Sequence, residues 1–266
     1  MLPQRNIRLT VSYRGTAYSG WQWQSNQRTV QGELNEAVFR VSGERVSLLG
    51  AGRTDAGVHA LGQVANFRVD HRLEGERWAA ALNYYLPDDI RVLDSQEVDW
   101  EFHAIRDARF RRYRYLAARE RSALYSGFRW EHGRDVSFAK LQEAAGLIVG
   151  EHDFSAFCVV GSRKEDNTCR IERSRWYQIG PLLVYEICGN RFLHTMVRSL
   201  VGGMMNLADL RQDYNTQNLT LGSFADMLHF PDSERCHFTA PPQGLYMIRV
   251  GYHHKESDHE VFHRHR

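Results

Sequence analysis

The sequence has no run of the roughly 18 to 20 consecutive apolar residues that a membrane-spanning helix requires. Its opening residues, MLPQRNIRLT, lack the apolar core of a signal peptide, so a cytoplasmic protein with no membrane partner is expected. The four cysteines, Cys158, Cys169, Cys188 and Cys236, are irregularly spaced and form no CxxC pair. That spacing suggests neither a zinc site nor a disulfide framework, and they read as reduced structural thiols. Lysine is also scarce, since 31 of the 34 basic residues are arginine. Arginine's planar fork suits phosphate and base stacking, although a GC-rich genome produces the same bias.

What is present is the ordinary mixture of a globular protein, 42% hydrophobic and 25% charged. A length of 266 residues leaves one extended domain or two small ones open, either of which buries a full core. The net charge of +2 conceals segregation. Residues 103–134 carry nine arginines against three acids, whereas residues 70–101 carry nine acids against three arginines. A basic stretch of this kind fits nucleic acid and fits a solvated face equally well.

Apolar residues alternate at Ile7, Leu9, Val11 and Tyr13, the period of a half-buried strand. Val30, Leu34, Ala37, Val38 and Val41 then recur at helical spacing behind Thr29, a suitable N-cap, for a helix to about Glu44. Further strands are expected at 63–69, from Ile90, at 113–117, 183–188 and 245–252. Helices are expected at 76–86, stopped by Pro87, at 137–149, closed by Gly150, and at 192–210. The last has an apolar stripe of Leu193, Val197, Leu200 and Met204, with His194 and Arg198 four residues apart on an adjoining face. Strands separated by helices also fit a doubly wound parallel sheet, but the alternation implies sheets covered on one face. The expected class is therefore α+β with an antiparallel sheet. The tail, 253–266, holds five of the 13 histidines and reads as a mobile terminus.

Residues 50–60 read GAGRTDAGVHA. Gly50, Gly52 and Gly57 mark a tight, flexible loop, where glycine also lets a ligand approach the main chain. Neither GxGxxG nor a P-loop fits, because Asp55 stands where the first needs glycine and no GK[ST] follows. An acid here repels phosphate, so the loop is suited to present a carboxylate. Capping a turn is the commoner role for an Asp among glycines. In an extended backbone Arg53 and Asp55 face the same side, and a nearby guanidinium holds a carboxylate ionised and in place, as a nucleophile needs.

GAGRTDAGVHA resembles the catalytic motif of the TruA family of tRNA pseudouridine synthases. YRGTAYSGWQWQ at 13–24, TVQGEL at 29–34, RRYRY at 111–115, FLHTMVRSLVG at 192–202 and APPQGLYM at 240–247 resemble its other motifs in order and spacing. The resemblance implies that Asp55 is the catalytic nucleophile and that Arg53 accompanies base flipping. It makes Tyr113 the tyrosine that stacks on the target uracil, Arg198 the partner of the aspartate, and Leu245 a pocket-lining apolar residue. Arg111, Arg112 and His194 join the expected substrate contacts. The implied fold is two α/β subdomains, 1–105 and 106–252, sharing a mostly antiparallel sheet with a central cleft. The implied activity is uridine-to-pseudouridine isomerisation in the anticodon stem-loop of tRNA by a homodimer, without metal or cofactor. Arg14, the charged stretch 161–175 and the histidine-rich tail depart from the family pattern.

Overall fold

The structure, a computed structural model, describes residues 4–163, 165–211, 219–230 and 235–252; the histidine-rich tail lies outside them. The first half of the chain forms β1 (Gln4–Tyr13), α1 (Val30–Ser42), β2 (Leu49–Gly50), β3 (His59–Asp70), α2 (Trp78–Tyr85) and β4 (Ile90–Val98). The second forms β5 (Phe110–Ala118), β6 (Trp130–Glu131), α3 (Phe138–Leu147), β7 (Gly150–Asp153), β8 (Thr168–Ile179), β9 (Leu182–Gly189), α4 (Met196–Ala208), α5 (Leu221–His229) and β10 (Leu245–Gly251). One mixed sheet runs β4-β1-β3-β10-β5-β9-β8-β7, with β2 added to β3 and β6 to β5. Its pairings are antiparallel except β10 with β3 and β5 with β6, so the α+β expectation holds.

Local signals explain the edges of these elements. Ile7, Leu9, Val11 and Tyr13 of β1 are buried while Arg8, Thr10 and Ser12 are less so, as a strand with one covered face requires. Thr29 accepts a hydrogen bond from the Gly32 N–H, and Gly43 closes α1 in the left-handed region at φ 76°. Leu86 is extended because Pro87 follows it, which ends α2 at Tyr85. The last strand, β10, inserts between β3 and β5, so the two halves of the chain meet in the middle of the sheet.

The helix expected at 192–210 is shorter than its apolar pattern. It begins at Met196, after Thr195 at φ 68°, and ends at Ala208. The His194 carbonyl accepts from the Val159 N–H, outside any helical pattern, so the preceding residues run as a connection and Leu193 lies off the helix. Nearly every residue of α4 is buried, which identifies it as a core helix rather than a surface one. The charged stretch at 161–175 leads into β8, which the periodicity missed. A register shift between Ile171 and Arg173 breaks its alternation, and Arg170 and Arg175 are paired with Glu172 and Glu186. Also missed was α5, whose capping box joins Thr220 and Ser223. Among the described residues, no helix is long and apolar enough to cross a membrane.

Candidate active site

The glycine-rich loop is fastened on every side. The Ala51 N–H donates to Val64 O at 2.7 Å, and the Ala51 carbonyl accepts from Arg111 Nη2 at 2.9 Å. Gln63 Nε2 donates to Gly52 O at 2.7 Å and the Trp21 N–H to Thr54 O at 3.1 Å. Tyr13 and Thr54 share a hydroxyl hydrogen bond of 2.8 Å. The glycines serve this packing. A Cβ on Gly50 would stand 2.4 Å from the Trp21 indole, and Gly57, at φ 79°, would meet Pro242 at 2.9 Å. Both glycines thus allow protein to pack on protein, which differs from the flexible, ligand-approach reading of the loop.

The Asp55 backbone carbonyl accepts from the Val58 N–H at 3.1 Å and closes the turn. Its carboxylate does something else. Arg198 Nη1 donates to Oδ2 at 2.8 Å, and His194 Nε2 stands 3.5 Å from Oδ1. The turn that an Asp among glycines would cap is made here by main chain, which leaves the carboxylate facing two cationic or donor groups from a distant segment. Arg53 is exposed and, among the described residues, enters no ion pair, so of the two guanidiniums expected near Asp55 only that of Arg198 reaches it.

Arg198 is itself held. Its Nε donates to Ala240 O at 2.9 Å, and the Ala240 N–H returns a bond to Arg198 O at 3.0 Å. Tyr115 donates its hydroxyl to Pro241 O at 2.8 Å, which fixes the same segment from β5. A bonded, partly buried guanidinium gives a directed contact rather than a diffuse charge.

A cavity of about 870 Å³ opens over this pair, within the size range of ligand pockets. It brings together Asp55, Arg53, Tyr113, Arg198, His194, Leu245 and Arg111; Asp55 is the one carboxylate among the described residues that line it. A second hollow of about 710 Å³ shares Arg53, Arg191 and His194 with the first and adds Glu165 and Asp166. Tyr113 is almost fully buried, with its ring edge-on to Phe192 at 5.1 Å. Burial, and then the neighbouring Tyr13, push its hydroxyl well above the ordinary phenol range, so it stays protonated. Leu245, at the start of β10, pairs with Tyr115 and closes the apolar side of the wall.

The two arginines before Tyr113 are separated by the period of the strand. Arg111 faces the cavity but is buried, and its guanidinium donates to the carbonyls of Ala51, Ile105, Ala108 and Asn190. It braces the loop. Arg112 lines neither hollow and lies toward Glu186 and Cys188. Burial raises the Glu186 carboxyl, but the guanidinium of Arg114, with Arg175 and Arg112, more than offsets this and holds it below the usual range. Most of the arginines in the basic stretch 103–134 have acidic partners within the chain, as in Arg114–Glu186, Arg129–Glu131 and Arg134–Asp209.

Several contributors escaped the sequence reading. Gln63 on β3 holds the loop at Gly52, and Tyr13 on β1 holds it through Thr54, a residue of the loop itself; nothing in their spacing announced these contacts. His59, inside the glycine-rich motif, is a buried structural residue. Its Nδ1 accepts from the Gly15 N–H, its Nε2 bonds Gly127 O, and its ring stacks on Tyr246 at 4.8 Å.

Comparison with known proteins adds an independent line. The family model described as tRNA pseudouridine synthase matches residues 9–105 and 144–253, well over half of the chain. A tRNA pseudouridine synthase A of Acetivibrio thermocellus is 40% identical over 252 residues, covering 93% of this chain and 100% of that one. The protein of the same name from Chlorobium luteolum is 44% identical over 249 residues, 93% of this chain and 96% of its own. That of Thermoanaerobacter sp. strain X514 is 37% identical over 252 residues, with coverage of 93% and 100%.

Proposed function

Because this chain belongs to the tRNA pseudouridine synthase family, we propose that it isomerises uridine to pseudouridine in the anticodon stem-loop of tRNA, with Asp55 as the nucleophile. The observation that carries this reading is the Asp55–Arg198 contact of 2.8 Å beneath a cavity with Tyr113 in its wall. The reaction breaks the bond from ribose C1′ to uracil N1 and joins C1′ to C5; N1 gains a proton and C5 loses one. A carboxylate that captures C1′ keeps the sugar in place while the free base turns, as in retaining glycoside chemistry. No redox step enters the balance.

A uridine inside a stem has to be extruded to reach Asp55, at about a few kcal/mol. Arg53, exposed at the rim, fills the space that the base leaves. Tyr113 stacks on the extruded uracil, a contact of roughly 1 to 3 kcal/mol in nucleic-acid sites. Its raised hydroxyl pKa favours a neutral ring beside the Asp55 carboxylate. Arg198 orients the carboxylate, Leu245 excludes water from the apolar side, and Arg111 sets the loop height. We assign residues 1–105 and 106–252 to the two subdomains that flank the cleft. The unit of activity is a cytoplasmic homodimer with tRNA across both subunits, and light scattering reads its mass.

Tritium release from tRNA carrying C5-labelled uridine tests the assignment. Asp55→Asn is expected to bind tRNA and release no tritium; turnover near that of the unaltered enzyme removes Asp55 from the nucleophile's role. Free uracil or cut strands among the products would point instead to a hydrolase.

A further inference from the structure

The Asp55 carboxylate is held unequally. Oδ2 accepts a short hydrogen bond from Arg198, whose side chain is only 18% exposed and which is anchored to Ala240. Oδ1 faces His194 Nε2 at 3.5 Å, an ion-pair distance longer than a normal hydrogen bond, and the His194 side chain is 56% exposed. One oxygen is therefore committed to a partly buried, anchored guanidinium, while the other stands beside the more exposed His194 imidazole.

His194 reaches that place through a conformation the backbone resists. Had α4 extended back to 192, His194 and Arg198 would have sat one above the other on one helical face. Instead the helix starts at Met196, and Thr195 adopts φ 68°. Asn26 is the other non-glycine residue at positive φ among the described residues, and it lies in an exposed turn. A β-branched residue in the left-handed region is an outlier, and such outliers persist where the surrounding structure over-determines them, commonly at functional sites. The Val159 N–H bonding to His194 O, and the Ser199 N–H bonding to Thr195 O, hold the chain on either side of the kink. The kink brings His194 to Oδ1 while Arg198, on the first turn of the helix, reaches Oδ2.

We propose that Oδ1 is the attacking oxygen of Asp55 and that His194 is its positioning residue, fixing the rotation of the carboxylate by donating from Nε2 as ribose C1′ arrives. This rests on Asp55 being the nucleophile. Two donors on two oxygens remove the freedom of the carboxylate to turn about its Cβ–Cγ bond, a freedom that Arg198 alone leaves. Loss of that alignment lowers the chemical step and spares binding, since misplacement of a reacting atom acts on turnover.

The experiment is steady-state tritium release from C5-labelled tRNA by full-length His194→Ala and His194→Gln, with thermal midpoints measured alongside. His194→Gln keeps an N–H donor at the reach of Nε2. The expected result is a fall in kcat of about tenfold or more for His194→Ala, with KM and thermal midpoint unchanged and most of the kcat restored in His194→Gln. An unchanged kcat in His194→Ala overturns the proposal, as does a loss confined to KM or a His194→Gln variant as slow as His194→Ala. Asp55→Asn in the same assay separates the two levels: if it turns over normally the nucleophile assignment fails, and if it is inactive while His194→Ala is normal only the role of His194 fails.

Discussion

Arg198 Nη1 lies 2.8 Å from Asp55 Oδ2 across 143 positions of sequence, and the Arg198 Nε is bonded at the same time to the Ala240 carbonyl. One guanidinium thus ties three segments together: the glycine-rich loop, α4 and the stretch leading to β10. A lysine has one charged nitrogen and no fork, so it can serve the carboxylate or the carbonyl but not both in this geometry. Arg198→Lys is expected to lower turnover by about 10- to 100-fold with net charge conserved. Tritium release on labelled tRNA, with circular dichroism to check the fold, measures it; a rate within twofold of the unaltered enzyme would mean that the fork is dispensable.

Arg111 and Arg53 line one cavity and are expected to respond in opposite ways. Arg111 is buried and donates to four carbonyls, so Arg111→Ala leaves several of them without a donor and should destabilise the fold by about 2 to 4 kcal/mol. Arg53 is exposed, and Arg53→Ala should leave stability within about 0.5 kcal/mol while reducing turnover. Urea denaturation of the two variants side by side decides it, and equal midpoints would contradict the brace assigned to Arg111.

Gly50→Ala places a Cβ 2.4 Å from the Trp21 indole, where neither the strand nor the buried ring has room to retreat. Overpacking of this kind costs about 1 to 3 kcal/mol, and because the Trp21 N–H bonds Thr54 O, activity should fall with stability. Gly146 in α3 is the control. A Cβ there meets nothing within 4 Å, so Gly146→Ala should stabilise by about 0.5 to 1 kcal/mol. Thermal unfolding reports both signs, and a neutral Gly50→Ala would show that Trp21 is free to move.

His59 and His132 are both held neutral, each by burial, with folded pKa values below the ordinary 6.5. The unfolded chain therefore binds more protons than the folded one in the window just below 6.5, and stability rises with pH through that window. The contribution is complete above it and is lost as pH falls towards the folded values. Chemical denaturation between pH 5 and pH 7.5 should show this slope. In His59→Phe, which keeps a ring against Phe128 and Tyr246 but cannot titrate, the slope should be shallower and the stability at neutral pH lower by about 1 to 3 kcal/mol. An identical slope in the variant would assign the acid sensitivity elsewhere.

Elements with an unbroken period were legible from the sequence. The strand through Ile7 and Tyr13, the helix capped by Thr29 and Gly43, and the stop at Pro87 depend on residues close in the chain, and local sterics decide them. The β8 strand escaped because a register shift breaks its alternation and arginines crowd its outer face, so its apolar signal is diluted. Residues of the loop alone favoured a turn-capping role for Asp55, and it was the resemblance of the motifs that singled out Asp55 and Arg198 together.

Which cation meets Asp55 depends on how β10, α4 and the loop pack, and no spacing in the chain encodes a contact between residues 55 and 198. The strand period separates Arg111 from Arg112, yet only the assembled sheet shows that Arg111 faces the cavity and Arg112 does not. The helical stripe placed His194 above Arg198, whereas the kink at Thr195 sets it on the other oxygen. Sequence by itself fixed the chemistry that is present, because composition and local periodicity act over a few residues. The tertiary structure alone decided which groups touch, because those contacts are made by elements that meet only when the core closes.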